Sequence, residues 1–321
     1  MLETVSFPGP GCVTTRLGFG GSGLMGGLSE RESLRLLEAA YASGIRHFDV
    51  APSYGHGQAE QCLGKFLAAR PDGTVTTKYG ILPPPRAGIL DLARNIARPI
   101  ARRVPAIRQR LARAAAGMAS SASFSAAEAD RSLENSRRAL QRDRIDCFLL
   151  HEADRDSLND PRLLEFLEHA RDSGRIGAFG VGSERERVER IWHTHPAFCS
   201  VLQFECSLLA LAPAPLFPGV FQIHHRTISG ALHLLHERLL ADPALCRQWS
   251  AATDANLQDR AVLGGLLLAG ALASGRSAMV LFSSRNVEHL SRNVAMCADP
   301  RWMERAVRLL AVVHDSKPPG S

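Results

Sequence analysis

The stretch HFDVAPSYGHGQ, residues 47–58, sets Asp49 in an apolar run and Tyr54 in a bend of Pro and Gly. Two more titratable groups stand at comparable places, Lys78 after TVTT and His151 after IDCFLL. A carboxylate beside an ammonium keeps the cation charged and aimed. An ammonium beside a phenol favours the phenolate and draws a pKa that starts near ~10 down toward the working range. A phenol tuned in this way can hand its proton to a carbonyl oxygen as hydride reaches the carbon, and a nearby histidine can orient or polarise that oxygen. Taken singly, each residue also fits a role without chemistry: Asp49 in a turn, Tyr54 in packing, Lys78 as a solvated strand end, His151 as a satisfied core histidine.

What joins the four is the organisation of the chain. ASGIRHFDV at 42–50, DSGRIGAFGV at 172–181 and ASGRSAMVLF at 273–282 repeat one pattern. In each, a helical segment meets a Ser-Gly pair suited to a left-handed C-cap, and a short apolar run of strand character follows. Helix starts are marked by Ser29 with Glu32, Ser125 with Glu128 and Ser183 with Glu186, each fitting a capping box, and by Asp160 before Pro161. Candidate strands fall near 16–20, 45–50, 74–77, 145–150, 176–181, 200–204, 219–224 and 278–282. Strands alternating with capped helices pair in parallel through right-handed crossovers. The expected fold is therefore α/β, a (β/α)8 TIM barrel spanning residues 1–321 as a single domain. Long connections follow the third strand, as a basic insertion at about 81–124, and the seventh, at 241–276. Such a barrel does its chemistry at the C-terminal ends of its strands, where Asp49, Tyr54, Lys78 and His151 all fall. The glycine-rich GFGGSGLMGG at 18–27 runs into the Ser29 cap and matches a dinucleotide fingerprint poorly.

Composition narrows the class further. With 45% hydrophobic and 22% charged residues the chain has the balance of an ordinary globular protein. The N-terminal stretch lacks a basic region followed by an apolar core, and no run reaches the length of a membrane span, so a cytoplasmic location without a membrane partner is expected. Seven scattered cysteines without a Cys-x-x-Cys pair suggest reduced thiols. The pairs His193 with His195 and His233 with His236 lack further ligands at metal spacing, so no metal is expected. The net charge of +6 owes much to the arginines between Arg86 and Arg113. No aromatic residue interleaves them to stack bases, and nucleic acid is not an expected partner. Ile89, Leu92 and Ile96 there follow helical spacing, which suits a helix packed on the barrel; the alternative is a lid lending positive charge to an acidic substrate. Finally, FSSRNVEHLSRNV places Ser283, Ser284 and Arg285 just before a helix beginning near Asn286, whose free N–H groups favour an anion.

From RLGFGGSGLMG to SSRNVEHLSRNV the sequence resembles the aldo-keto reductase family, most specifically in DVAPSYG followed by GHGQAEQCLG. The resemblance implies a barrel that binds NAD(P)H at the strand C-termini, with Tyr54 as proton donor, Lys78 tuning it, Asp49 partnering the lysine and His151 orienting the substrate. It also implies cofactor contacts from Gly21 in the first glycine-rich loop and from Ser183 and Gln203 at the carboxamide. His224 falls where the family stacks a tyrosine on the nicotinamide. Ser283, Ser284, Arg285, His289 and Asn293 fall around the adenosine phosphate. Arg285 suits a 2′-phosphate, so NADPH is favoured over NADH. The expected activity is NADPH-dependent reduction of a small-molecule aldehyde or ketone. The alternatives are a sugar or alcohol dehydrogenase working in the oxidising direction, and a nucleotide-binding regulatory subunit with little turnover.

Overall fold

The computed structural model describes residues 1–9, 11–82, 124–209, 217–275 and 279–315. The arginine run from Arg86 to Arg113 and the helical spacing of Ile89, Leu92 and Ile96 lie outside the described residues.

The chain opens with a hairpin of β1 (Thr4–Ser6) and β2 (Val13–Thr15). Eight parallel strands follow: β3 (Leu17–Gly20), β4 (His47–Asp49), β5 (Thr74–Tyr79), β6 (Ile145–His151), β7 (Ile176–Gly182), β8 (Val201–Glu205), β9 (Phe221–His225) and β10 (Met279–Phe282). They close into a barrel, β10 pairing with both β9 and β3. This is the (β/α)8 ring expected from the strand pattern. The hairpin was not foreseen, because strands of three residues around a Pro-Gly-rich bend carry too little periodicity to read. Its loop presses Phe7 into one end of the barrel, against the rings of His47 and Phe221.

Alternation along each strand sorts the side chains. Cys147, Leu149, Val201, Ile223 and Leu281 fill the lumen with Phe7, while Phe48, Phe148, Phe179 and Phe204 face the helices. The lumen near the hairpin also holds a polar chain: His47 Nδ1 lies 2.9 Å from Thr74 Oγ1, and its Nε2 lies 3.1 Å from Thr76 Oγ1. Burial lowers the His47 pKa to about 4, so the ring is neutral.

The helices are α1 (Glu30–Ala42), α2 (Ala59–Leu67), α3 (Ala126–Leu140), α4 (Pro161–Asp172), α5 (Arg185–Thr194), α6 (Ser229–Ala241), α7 (Pro243–Thr253), α8 (Arg260–Ala273), α9 (Val287–Ala298) and α10 (Pro300–Asp315). Ser29 and Glu32 form a reciprocal capping box, and Asp160 caps α4 with Pro161 in its first turn. The three Ser-Gly hinges end α1, α4 and α8, and Gly44, Gly174 and Gly275 all take positive φ. Two expectations need correction. Ser183 does not cap α5, which starts from Glu184, because its hydroxyl donates instead to Glu152 Oε2 at 3.1 Å. The connection after the seventh barrel strand is no open loop: its apolar residues build α7 and α8, and α8 packs on α9 and α10.

Candidate active site

Strand ends bring Asp49, Lys78, His151 and Gln203 to one mouth of the ring, and the bend after β4 adds Tyr54. Lys78 Nζ donates to Asp49 Oδ1 at 2.6 Å and to the Val50 carbonyl at 3.0 Å. Gln203 Nε2 donates to Asp49 Oδ2 at 2.7 Å. The ammonium stands 5.0 Å from the centre of the Tyr54 ring, and the His151 ring meets that ring edge-on at 6.2 Å. Asp49, Lys78 and Gln203 are all buried. The tight bend before α2 is made by Gly55 at φ +58, where an added Cβ would strike the Leu24 carbonyl oxygen at 2.5 Å.

The electrostatics follow from this packing. Burial opposes the charge on Lys78, but the Asp49 carboxylate and the Tyr54 hydroxyl outweigh it and raise the lysine above its ordinary range. For Tyr54, burial raises the pKa and Lys78 lowers it through its charge and hydrogen bonding, with burial the stronger. The sequence alone suggested a net lowering; desolvation of the phenolate reverses the sign. The Tyr54 hydroxyl therefore keeps its proton, the state a general acid requires. His151 is pushed down to about 3 by burial and the Lys78 charge, so it meets a ligand as a neutral imidazole.

These groups share a cavity of about 740 Å³ that runs along the barrel mouth to the start of α9. Ser183, Gln203, Ser283, Ser284, His289 and Asn293 line it as well. Arg285 lies in an adjoining hollow of about 240 Å³ that shares Ser283 and Ser284, its guanidinium beside Gly27. At the α9 N-terminus Asn286 accepts from the His289 N–H, and Ser284 Oγ donates to the Asn286 carbonyl. A second, larger hollow of about 950 Å³ lies on the barrel flank around Glu60, between α2 and α3. None of Asp49, Tyr54, Lys78 and His151 lines it; all four line the smaller cavity.

Two positions differ from the sequence reading. His224 points away from the cavity, its ring 4.7 Å from Phe204, and His225 lines the mouth in its place. The cause is the period of two along β9: Ile223 faces the lumen, so residue 225 does too and residue 224 cannot. That alternation was present in FQIHH and could have found it. Gly21 lies beneath the lining formed by Gly20 and Ser22, packed so closely that a Cβ would come within 2.9 Å of the Asp49 carbonyl oxygen. Sequence reasoning also missed Glu152, Glu205 and Arg226 at the mouth. Glu152 and Arg226 both adopt positive φ directly after barrel strands, and Arg226 pairs with Glu205 at 3.1 Å. Elsewhere, His195 Nε2 lies 3.3 Å from the Asn159 side-chain oxygen and His236 Nε2 lies 3.2 Å from the Gln258 carbonyl oxygen.

Among the described residues no helix is long and apolar enough to cross a membrane. The model of the Aldo/keto reductase family matches residues 16–225. D-threo-aldose 1-dehydrogenase from Pseudomonas sp is 33% identical over 184 residues, 54% of this chain and 51% of that protein. Pyridoxal 4-dehydrogenase from Microbacterium luteolum is 42% identical over 76 residues, 22% of each chain. The matched region thus spans about half or less of these relatives' length. An aldo-keto reductase from Bacillus halodurans, solved in its holo form, shares the fold at a TM-score of 0.67 and 19% identity, with 96% of each chain covered.

Proposed function

The chain belongs to the aldo/keto reductase family, and on that premise we propose that it is an NADPH-dependent reductase of aldehyde or ketone carbonyls with Tyr54 as proton donor. The observation that carries this reading is the Asp49–Lys78 ion pair at 2.6 Å placed against the Tyr54 ring inside one cavity.

The cavity fits an extended dinucleotide. Its lining includes Gly20, which presents no side chain, and, at the start of α9, Ser283 and Ser284, whose hydroxyls suit a phosphate. Ser283, Ser284 and Arg285 would hold the adenosine phosphate, His289 and Asn293 the adenine end, Ser183 and Gln203 the carboxamide, and His225 the face of the ring. A bound reduced nicotinamide supplies the hydride. Tyr54 gives its proton to the carbonyl oxygen, and the charge it gains is met by Lys78, which Asp49 keeps in place. Neutral His151 orients the same oxygen by hydrogen bonding. Arg285 supports NADPH over NADH, since a guanidinium can take a 2′-phosphate by two parallel hydrogen bonds. On this reading Arg285→Ala weakens NADPH about tenfold or more and leaves NADH nearly unchanged, as equilibrium titration with each nucleotide would measure.

A second reading, oxidation of a sugar or alcohol by the same residues in reverse, is favoured by the two relatives named as dehydrogenases. Initial rates in both directions, over a panel of aldehydes, ketones, aldoses and alcohols with NADPH, NADH and their oxidised forms, separate the two. No nucleotide-linked turnover on any of them rejects both.

A further inference from the structure

We propose that Gln203 is a positioning residue for proton transfer: its amide fixes the Asp49 carboxylate so that the other carboxylate oxygen holds Lys78 against Tyr54. This rests on the reading of Tyr54 as proton donor and goes beyond a role for Gln203 at a carboxamide.

The geometry is specific. β4 and β8 stand four places apart in the eight-stranded ring, so the hydrogen bond from Gln203 to Asp49 spans the lumen. Asp49 has two oxygens of equal chemistry, and each is given one donor: Lys78 on Oδ1 and Gln203 on Oδ2. All three residues are at most 5% exposed, so water does not readily replace a lost partner. Without the amide, the carboxylate can turn about its terminal torsion, and the ammonium loses a fixed seat. One N–H serves Asp49; the second N–H and the side-chain oxygen remain for a ligand in the cavity. The residue can therefore serve cofactor and acid at once.

The charged and titratable groups around Tyr54 are Asp49 on β4, Lys78 on β5, His151 and Glu152 at the end of β6, Glu205 on β8, and His225 and Arg226 at the end of β9. Lys78 and Arg226 lower the Tyr54 pKa, and Asp49 raises it. Removing the Gln203 amide leaves the Asp49 charge less compensated and the Lys78 charge less well placed. Both effects make Tyr54 harder to ionise.

The chain has three tyrosines, Tyr41, Tyr54 and Tyr79, so tyrosinate absorbance can follow Tyr54 in the protein without cofactor, after subtraction of a Tyr54→Phe reference made in each background. In Gln203→Met the Tyr54 titration is expected to move up by about one pH unit, and in an Asp49→Asn background the same substitution is expected to move it no further. Gln203→Leu provides the same comparison if the methionine variant does not fold. In turnover at saturating nucleotide, kcat is expected to fall about tenfold, alongside the weaker nucleotide binding that loss of the carboxamide contact brings. An unmoved or downward Tyr54 titration, a shift that persists in the Asp49→Asn background, or a raised nucleotide Kd with kcat intact would each overturn the proposal. A wild-type chain that turns over no carbonyl rejects the reductase reading instead, and the titration still decides the role of Gln203.

Discussion

At the scale of single residues, the site works through opposed effects of known sign. Burial keeps Tyr54 protonated, and in the proposed mechanism Lys78 would stabilise the charge that proton transfer creates. His151, with a pKa near 3, does not titrate in the working range, so the proposed mechanism uses it as a neutral hydrogen-bonding group. His151→Asn should then lower kcat/KM by about 10- to 100-fold while leaving the shape of its profile between about pH 5 and 8 unchanged. An inflection near ~6.5 that disappears in the variant would contradict this. The two adjacent histidines make a paired prediction. His225→Ala should weaken nucleotide binding with little change in melting temperature, whereas His224→Ala, which opens a gap beside Phe204, should do the reverse. The convergence of Asp49, Tyr54, Lys78 and His151 was legible because each ends a strand or follows one. The facing of His224 was misread because the motif was matched by position, without following the alternation from Ile223. The positive-φ residues Glu152 and Arg226 gave no signal, since neither type advertises a left-handed conformation.

At the scale of elements, close approach rather than composition sets the tolerance. Gly64 on α2 packs so tightly on the end of α3 that a Cβ would lie 2.3 Å from the Ala139 carbonyl oxygen. Backbone cannot retreat as a side chain can, so Gly64→Ala should destabilise the fold by about 1–3 kcal/mol, read as a lower denaturant midpoint with the nucleotide Kd kept in the folded fraction. An unchanged midpoint would show that the two helices can separate at little cost. Asn286 caps α9 beside the proposed phosphate site, so Asn286→Ala should combine a loss of about 1 kcal/mol with weaker nucleotide binding. All eight barrel strands were readable as short apolar runs alternating with helical segments. What the pattern could not convey was the fate of long connections. The stretch after β9 read only as a long connection, yet Asp242 caps α7 and Pro243 sits harmlessly in its first turn.

At the scale of the whole molecule, the barrel keeps buried His47 and partly buried His225 neutral, with pKa values near 4, and partly buried His151 neutral, near 3. The unfolded chain takes up protons at these side chains near ~6.5, while the folded chain resists until lower pH. Their contribution to stability is therefore complete above pH ~6.5, falls as the pH drops, and is exhausted below the folded values. For fully buried His47 alone the loss by pH ~4 is roughly 3 kcal/mol. The melting temperature should decline through this window, and less steeply in His47→Asn; a flat profile would show that the polar chain around His47 accommodates the proton. The same closed ring that isolates His47 brings a phenol, an ammonium and a carboxylate from separate stretches of chain into one cavity, and the account depends on what that phenol does. The most direct test is Tyr54→Phe assayed with NADPH and the best carbonyl substrate. The account predicts a kcat lower by about a thousandfold with the NADPH dissociation constant unchanged; wild-type turnover in the phenylalanine variant would contradict it.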